Sequence, residues 1–367
     1  MGGVDKNIEY YTQIAYPEYS NKASSTKDLS VKPNGSKDFG LLDLSLSQKD
    51  RIDKKIIQIV SNDLLNIGKY SHTQNDKLIN LLSKSNHVPK KNILITAGCD
   101  GALKIISQLL ISRNINVCIP VPSFGRYEYH TKINKGKIHF FYNKEFPYDT
   151  RIKELLEFLN KNKIEVLFLA NPNNPTGIYK PQHEIITLLD NFKGYSIIDE
   201  SLINPNTIST AQLIKKYPKL IVAKSFSKFY GLAGARIGYI VASEKLIKPL
   251  LNLVSPFEVN SLALSLAIAV LKDKELADME AKIIKAEIKK LLRTFRKNTR
   301  INITPSESSL ALIQYSGKEP LFDLLLKRGI KTVNGNDFRG LENTNTVRIS
   351  IKDSDSMNYL ISEIDKI

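Results

Sequence analysis

Ser225-Phe226-Ser227-Lys228-Phe229-Tyr230-Gly231-Leu232-Ala233-Gly234-Ala235-Arg236-Ile237-Gly238-Tyr239 sets a lysine among small residues, with a serine upstream and an arginine downstream. An apolar run, Leu220 to Ala223, leads into it. A lysine amine can attack a carbonyl, and hydroxyl and guanidinium donors hold phosphate oxygens. This is what a Schiff-base lysine needs when its cofactor also carries a phosphate. Lys228 is then the amine, and Ser225 and Arg236 are the phosphate donors.

Two segments upstream fit the same chemistry. Val166-Leu167-Phe168-Leu169-Ala170 is an apolar run short enough to be a buried strand, and Asn171-Pro172-Asn173-Asn174-Pro175-Thr176-Gly177 follows it. Pro175 and Gly177 force a turn. Asn174 therefore stands at the carboxyl end of a parallel strand, where α/β sheets bind ligands; an ordinary polar turn is the other reading. In Tyr195-Ser196-Ile197-Ile198-Asp199-Glu200 a carboxylate ends a buried strand. Such a carboxylate needs a cationic partner, and a protonated ring nitrogen is one; a helix cap or turn residue is the alternative. Ile93 to Leu103 reads as strand, glycine turn and then a helix running to about Leu110. The amino end of that helix is a ready anion site.

Taken in order, these segments resemble the fold-type I pyridoxal-phosphate-dependent aminotransferases of class I/II, over nearly all of the chain after residue 40. The resemblance implies an α/β fold like that of aspartate aminotransferase. A large domain would hold a mostly parallel seven-stranded sheet between helices, with a smaller C-terminal α+β domain. It also implies pyridoxal 5'-phosphate as cofactor, bound to Lys228 as a Schiff base. Asn174 would donate to the phenolate oxygen of the ring. Asp199 would keep the pyridine nitrogen charged, which makes the ring an electron sink. The backbone of Cys99 and Asp100, with Ser225 and Arg236, would take the phosphate. Phe124, in Pro120-Val121-Pro122-Ser123-Phe124-Gly125, would stack on the ring, unless it only packs in the core. Arg348, in Thr346-Val347-Arg348-Ile349-Ser350-Ile351, would clamp the substrate carboxylate in a bidentate fork. Tyr70 resembles the tyrosine that reaches the phosphate of the neighbouring subunit, so a homodimer with shared active sites is expected.

Composition places limits on this reading. The 367 residues are 42% hydrophobic and 25% charged, as in an ordinary globular protein. No apolar run is long enough to span a bilayer, and the start of the chain carries no apolar signal core. The two cysteines, Cys99 and Cys118, imply no disulfide framework, and a cytoplasmic setting is expected. The net charge of +16 comes from lysines spread along the whole chain, so it does not indicate nucleic acid. A diffuse positive field would favour anionic substrates, phosphorylated or phosphonate amines among them.

Along the chain, residues 1–45 are expected to be an extended arm, 46–255 the cofactor-binding domain and 256–367 the small domain. Strands are expected near 92–96, 116–119, 137–142, 166–170, 195–199, 220–225 and 238–242. A helical pattern covers roughly 50–85, and a long helical region runs from Ser261 to about Thr299.

Within the family, Ser255-Pro256-Phe257-Glu258-Val259-Asn260-Ser261-Leu262-Ala263 and Asn336-Asp337-Phe338-Arg339-Gly340-Leu341 resemble the branch of histidinol-phosphate aminotransferase and threonine-phosphate decarboxylase. Leu202 replaces an aromatic, often a tyrosine that also reaches the phenolate oxygen. The segment Leu42 to Ser47 lacks the Asn-Pro pair that helps bind substrate in many relatives. Transamination between a small amine or amino acid and an oxo acid is the expected reaction. Decarboxylation of an O-phospho amino acid is the alternative, and a non-catalytic ligand sensor a remote one.

Overall fold

A computed structural model describes residues 3–14, 41–47, 53–70 and 72–367. Seven strands lie where the apolar runs predict them, each within two residues: β2 (Ile93–Thr96), β3 (Asn116–Val121), β4 (Lys137–Tyr142), β5 (Val166–Ala170), β6 (Tyr195–Asp199), β7 (Leu220–Ser225) and β8 (Gly238–Ala242). They form one sheet in the order β2-β8-β7-β6-β5-β3-β4, and only β8 runs against the others. The inner strands are largely apolar because both faces are covered, whereas the edge strand β4 is only half-buried. On β5, Leu167 and Leu169 enter one core while Val166, Phe168 and Ala170 enter the other. A period of two thus splits one hydrophobic run between two layers.

Helices cover this sheet. On or beside it lie α2 (Lys54–Ser61), α3 (His72–Asn86), α4 (Gly98–Leu110), α5 (Arg126–Ile133), α6 (Ile152–Lys161), α7 (Gln182–Asn191) and α8 (Glu244–Leu251). Because β2, β3, β5, β6 and β7 run the same way, the segments that follow them meet at one edge. Those segments carry Gly98, Phe124, Asn174, Asp199 and Lys228. Residues that lie far apart along the chain become spatial neighbours there.

The helical region from Ser261 is two helices, α9 (Ser261–Lys272) and α10 (Lys274–Phe295), not one running to Thr299. The Asn260 side chain accepts from the Ala263 N–H and starts α9, and Asp273 (φ −97°, ψ 80°) breaks the run. The break separates two packing partners. Ala263, Leu264, Ala267 and Val270 join the core of the large sheet. Ala281, Ile284, Ile288 and Leu291 join a second core, under an antiparallel sheet in the order β12-β13-β10-β9. Those strands are β9 (Ile301–Ile303), β10 (Leu310–Tyr315), β12 (Val333–Asn334) and β13 (Thr346–Ser350). They pack with α11 (Leu321–Lys327) and α12 (Ser354–Ile364), beside the short strand β11 (Ile330–Lys331).

The expected extended arm is also corrected where it is described. Gly3–Thr12 is a helix, α1. Its Tyr10 hydroxyl donates to the Lys132 carbonyl, and Lys135 Nζ donates to Asn7 Oδ1 at 2.9 Å while lying 5.0 Å over the Tyr10 ring. A helix with a place to dock outlasts the coil that its polar sequence suggests. Residues 15–40 of the expected arm lie outside the described residues. Further on, β1 (Leu42–Asp43) pairs in parallel with β11, and Leu44 is fully buried in the C-terminal core.

Candidate active site

Lys228 follows β7 in the loop that leads to β8. It lines a cavity of about 170 Å³ with Asp199, Asn174, Phe124 and Arg348, all named from the sequence, and with Tyr127, Leu46, Ser47, Leu202 and Leu310. Burial first, then the charges of Arg348 and Arg236, pull its amine down from 10.5 to about 8. Part of the population is then a neutral amine near neutral pH, the form that attacks a carbonyl. Four residues earlier Lys224 points elsewhere. It pairs with fully buried Glu200 at 3.0 Å, and Ser209 and Thr210 complete that network. Burial opposes the charge on Lys224, but Tyr239 and Glu200 outweigh it and raise its pKa. The surroundings thus shift two lysines of one segment in opposite directions.

Asp199 ends β6 and is 3% exposed. Its Oδ1 accepts from the Ser201 N–H at 2.8 Å and from Cys99 Sγ at 3.4 Å, and its Oδ2 accepts from the Tyr127 hydroxyl at 2.7 Å. Burial and the nearby Asp199 charge push the Cys99 thiol well above its ordinary pKa, so it stays a neutral donor. Tyr127 was not singled out in the sequence. The available signal was a tyrosine three residues beyond Phe124 at the opening of a predicted turn and helix.

At the amino end of α4, Gly98 has φ +76°, and a Cβ there would lie 2.9 Å from Arg236 Nη2. The guanidinium lies directly against that backbone, beside the first N–H groups of the helix. Arg236 is itself left-handed (φ 51°) and donates Nη1 to the Ala233 carbonyl at 3.1 Å. Ser225 Oγ accepts from the Ser227 N–H at 3.0 Å. A helix amino end, a guanidinium and a hydroxyl form a donor set suited to a phosphate monoester. The Asp100 side chain does not oppose this. It turns to Arg126 (2.6 and 2.8 Å) and His130 (3.0 Å). Burial works against its charge, but hydrogen bonds from His130 and Arg126 prevail and hold the carboxyl at about 2.

On the opposite wall, Arg348 from β13 donates Nη1 to Asn174 Oδ1 at 3.0 Å and Nη2 to the Ser45 carbonyl. Gly177 (φ +70°) closes the Asn174 turn, where a Cβ would run into Ser306 Oγ and the Leu310 carbonyl. Tyr70 stands apart from this group. It is 77% exposed and stacks on Phe257, with ring centroids 4.3 Å apart.

The model of the family described as aminotransferase class I and II matches residues 46–364. The chain belongs to the class I and II aminotransferases. One relative is the histidinol-phosphate aminotransferase of Caldanaerobacter subterraneus subsp. tengcongensis, 30% identical over 87% of this chain and 89% of its own length. Among solved structures, the histidinol-phosphate aminotransferase of Sinorhizobium meliloti in complex with pyridoxal-5'-phosphate superposes with TM-score 0.81 at 18% identity, covering 97% of this chain and 96% of that one. The L-threonine-O-3-phosphate decarboxylase of Porphyromonas gingivalis superposes with TM-score 0.76 at 23% identity, covering 89% and 99%. This aminotransferase uses pyridoxal 5'-phosphate, and the polar groups near Gly98, Arg236, Asp199 and Lys228 are of the kinds such a molecule would need: donors for a phosphate, a carboxylate for a ring nitrogen and an amine for an aldehyde. Among the described residues no His, Cys, Asp and Glu group could hold a metal ion, and no helix is long and apolar enough to cross a membrane.

Proposed function

We propose that Lys228 carries the cofactor and moves the proton in an amino transfer between a small amine or amino acid and an oxo acid. The observation that carries this reading is the shared cavity. Lys228, with its amine at about 8, lies in it with Asp199, Asn174 and Arg348. When bound, pyridoxal phosphate supplies an aldehyde for the amine and a ring that withdraws electrons. Asp199 would hold the ring nitrogen, Asn174 Nδ2 would donate to the phenolate oxygen, and Phe124 would stack on the ring. Arg236, Ser225 and the N–H groups of Cys99 and Asp100 would take the phosphate. Arg348 would take the substrate carboxylate, and the Lys228 amine would carry the α-proton as base and then acid.

We propose a homodimer in which Tyr70 serves the partner subunit's phosphate. Its support is a set of exposed apolar side chains, Leu64, Leu65, Ile67, Tyr70, Leu251, Leu253 and Phe257, with Tyr70 stacked on Phe257. We divide the chain into a cofactor-binding domain, 46–255, and a C-terminal domain, 256–367, with α9 packed on the first. Both cysteines are buried free thiols, which fits the cytoplasm.

The deciding experiment is a single-turnover spectrum of the cofactor-loaded protein against a panel of amines, phosphorylated and phosphonate ones included. Loss of the visible band, restored by an oxo acid, identifies the aminotransferase and its donor. Carbon dioxide released while the band persists selects decarboxylation, the second reading. Turnover retained in Lys228→Ala would sink the assignment of the lysine.

A further inference from the structure

Tyr127 is 1% exposed, on the first turn of α5. Its ring lies parallel to Phe168 (centroids 5.2 Å apart, 7° between planes) and meets Phe124 edge-on (5.8 Å, 83°). Its hydroxyl is aimed by that packing at Asp199 Oδ2, 2.7 Å away. The two oxygens of Asp199 are used unequally. A carboxylate oxygen accepts two hydrogens. Oδ1 already takes two, from Ser201 N–H and Cys99 Sγ. Among the described residues Oδ2 takes one, from Tyr127, and so keeps one lone pair to offer.

We infer that Tyr127 is a positioning residue of the amino-transfer reaction: its hydroxyl holds Asp199 Oδ2 so that the remaining lone pair faces the ring nitrogen of bound pyridoxal phosphate. It acts through Asp199 rather than on the reacting atoms themselves. The same hydrogen bond fixes the rotation of the Asp199 carboxyl group, 2.7 Å from the Tyr127 hydroxyl. Because the Tyr127 ring also abuts Phe124, one side chain sets the relation between the group under the ring and the group at its nitrogen. The inference rests on the proposed role of Asp199.

The test is a double-mutant cycle of Tyr127→Phe and Asp199→Asn in the cofactor-loaded protein. It reads the rate of the spectral half-reaction with a donor amine, the pH midpoint of the visible absorbance, and the melting temperature. Tyr127→Phe keeps the ring and its packing, so melting should stay near wild type. Its half-reaction should slow by about tenfold, the value of one charge-assisted hydrogen bond, and its pH midpoint should shift. In Asp199→Asn the further change Tyr127→Phe should alter neither rate nor midpoint, because the group it acts through is gone. Wild-type rate and midpoint in Tyr127→Phe overturn the inference. So do penalties that multiply in the double variant, or a loss of rate that only follows a loss of folded protein. A wild-type half-reaction in Asp199→Asn overturns the Asp199 assignment itself, and this inference with it.

Discussion

Arg348 and Asn174 share a hydrogen bond, Nη1 to Oδ1 at 3.0 Å, that joins the C-terminal sheet to the turn after β5. One guanidinium thereby fixes the orientation of the amide, so that Asn174 Nδ2 is the atom that would donate to a bound cofactor in the proposed role. The same guanidinium is the only one lining the cavity among the described residues.

Arg348→Lys should therefore damage two functions at once. An ammonium cannot bridge Asn174 and Ser45 while presenting a fork to a carboxylate. We expect kcat/KM to fall by roughly 100-fold, with most of the loss in KM for carboxylate substrates. Steady-state kinetics with an amino acid donor and its decarboxylated amine will show it, because the amine should lose far less.

The depressed pKa of Lys228 makes a stability prediction with a definite sign. Between pH 8 and 10.5 the unfolded chain holds a proton that the folded one has released. Stability contributed by this group therefore rises with pH through that window, and below pH 8 the buried charge is a net burden. Lys228→Met should raise the melting temperature of the cofactor-free protein at pH 7 by a few degrees. The gain should vanish near pH 10.5, and a gain independent of pH would contradict the assigned shift.

Lys224 predicts the opposite outcome. Lys224→Met leaves Glu200 charged at 0% side-chain exposure, which should destabilise the fold by about 3–5 kcal/mol. Adding Glu200→Gln should recover much of it. Denaturant unfolding measures both. The visible cofactor band should survive in the folded protein, which separates this lysine from Lys228.

Gly98→Ala tests the phosphate cradle. Its φ of +76° disfavours any side chain, and a methyl group there would have to displace Arg236 Nη2, 2.9 Å away. The left-handed backbone adds on the order of 1–3 kcal/mol of strain. Affinity for pyridoxal phosphate, followed by absorbance titration, should drop at least about tenfold. Unchanged affinity would move the phosphate elsewhere.

Leu202 is 4% exposed on the same cavity wall. Leu202→Tyr offers a hydroxyl to the phenolate side of the cofactor and should favour its ionised form. The pH midpoint of the visible absorbance should fall by about a unit. An unmoved midpoint would mean that the new hydroxyl points away.

Six of the seven strands of the large sheet were legible because each is a short, largely apolar run that is mostly buried and bounded by turn residues; β4, at the sheet edge, is half-buried and carries Lys137 and His139. Lys228, Asp199 and Asn174 were legible because each ends such a run in an order the chemistry requires. Tyr127 was not, since a tyrosine beside Phe124 reads equally as core. The break at Asp273 was not either. Lys, Ala, Leu and Glu continue across it with good helix propensity, and what ends α9 there is that its apolar face has a different partner from that of α10.

The sequence by itself therefore determined the sheet, the cofactor chemistry and the identity of the residues at the strand ends, because local period and turn chemistry are properties of adjacent residues. Only the tertiary structure decided which of two nearby lysines is left with a depressed pKa and which is locked to Glu200. It alone showed that the Arg348 guanidinium meets Asn174 and that Tyr127 reaches Asp199. Those outcomes depend on burial and on distances between residues far apart in the chain, and the pattern along a single strand or helix does not contain them.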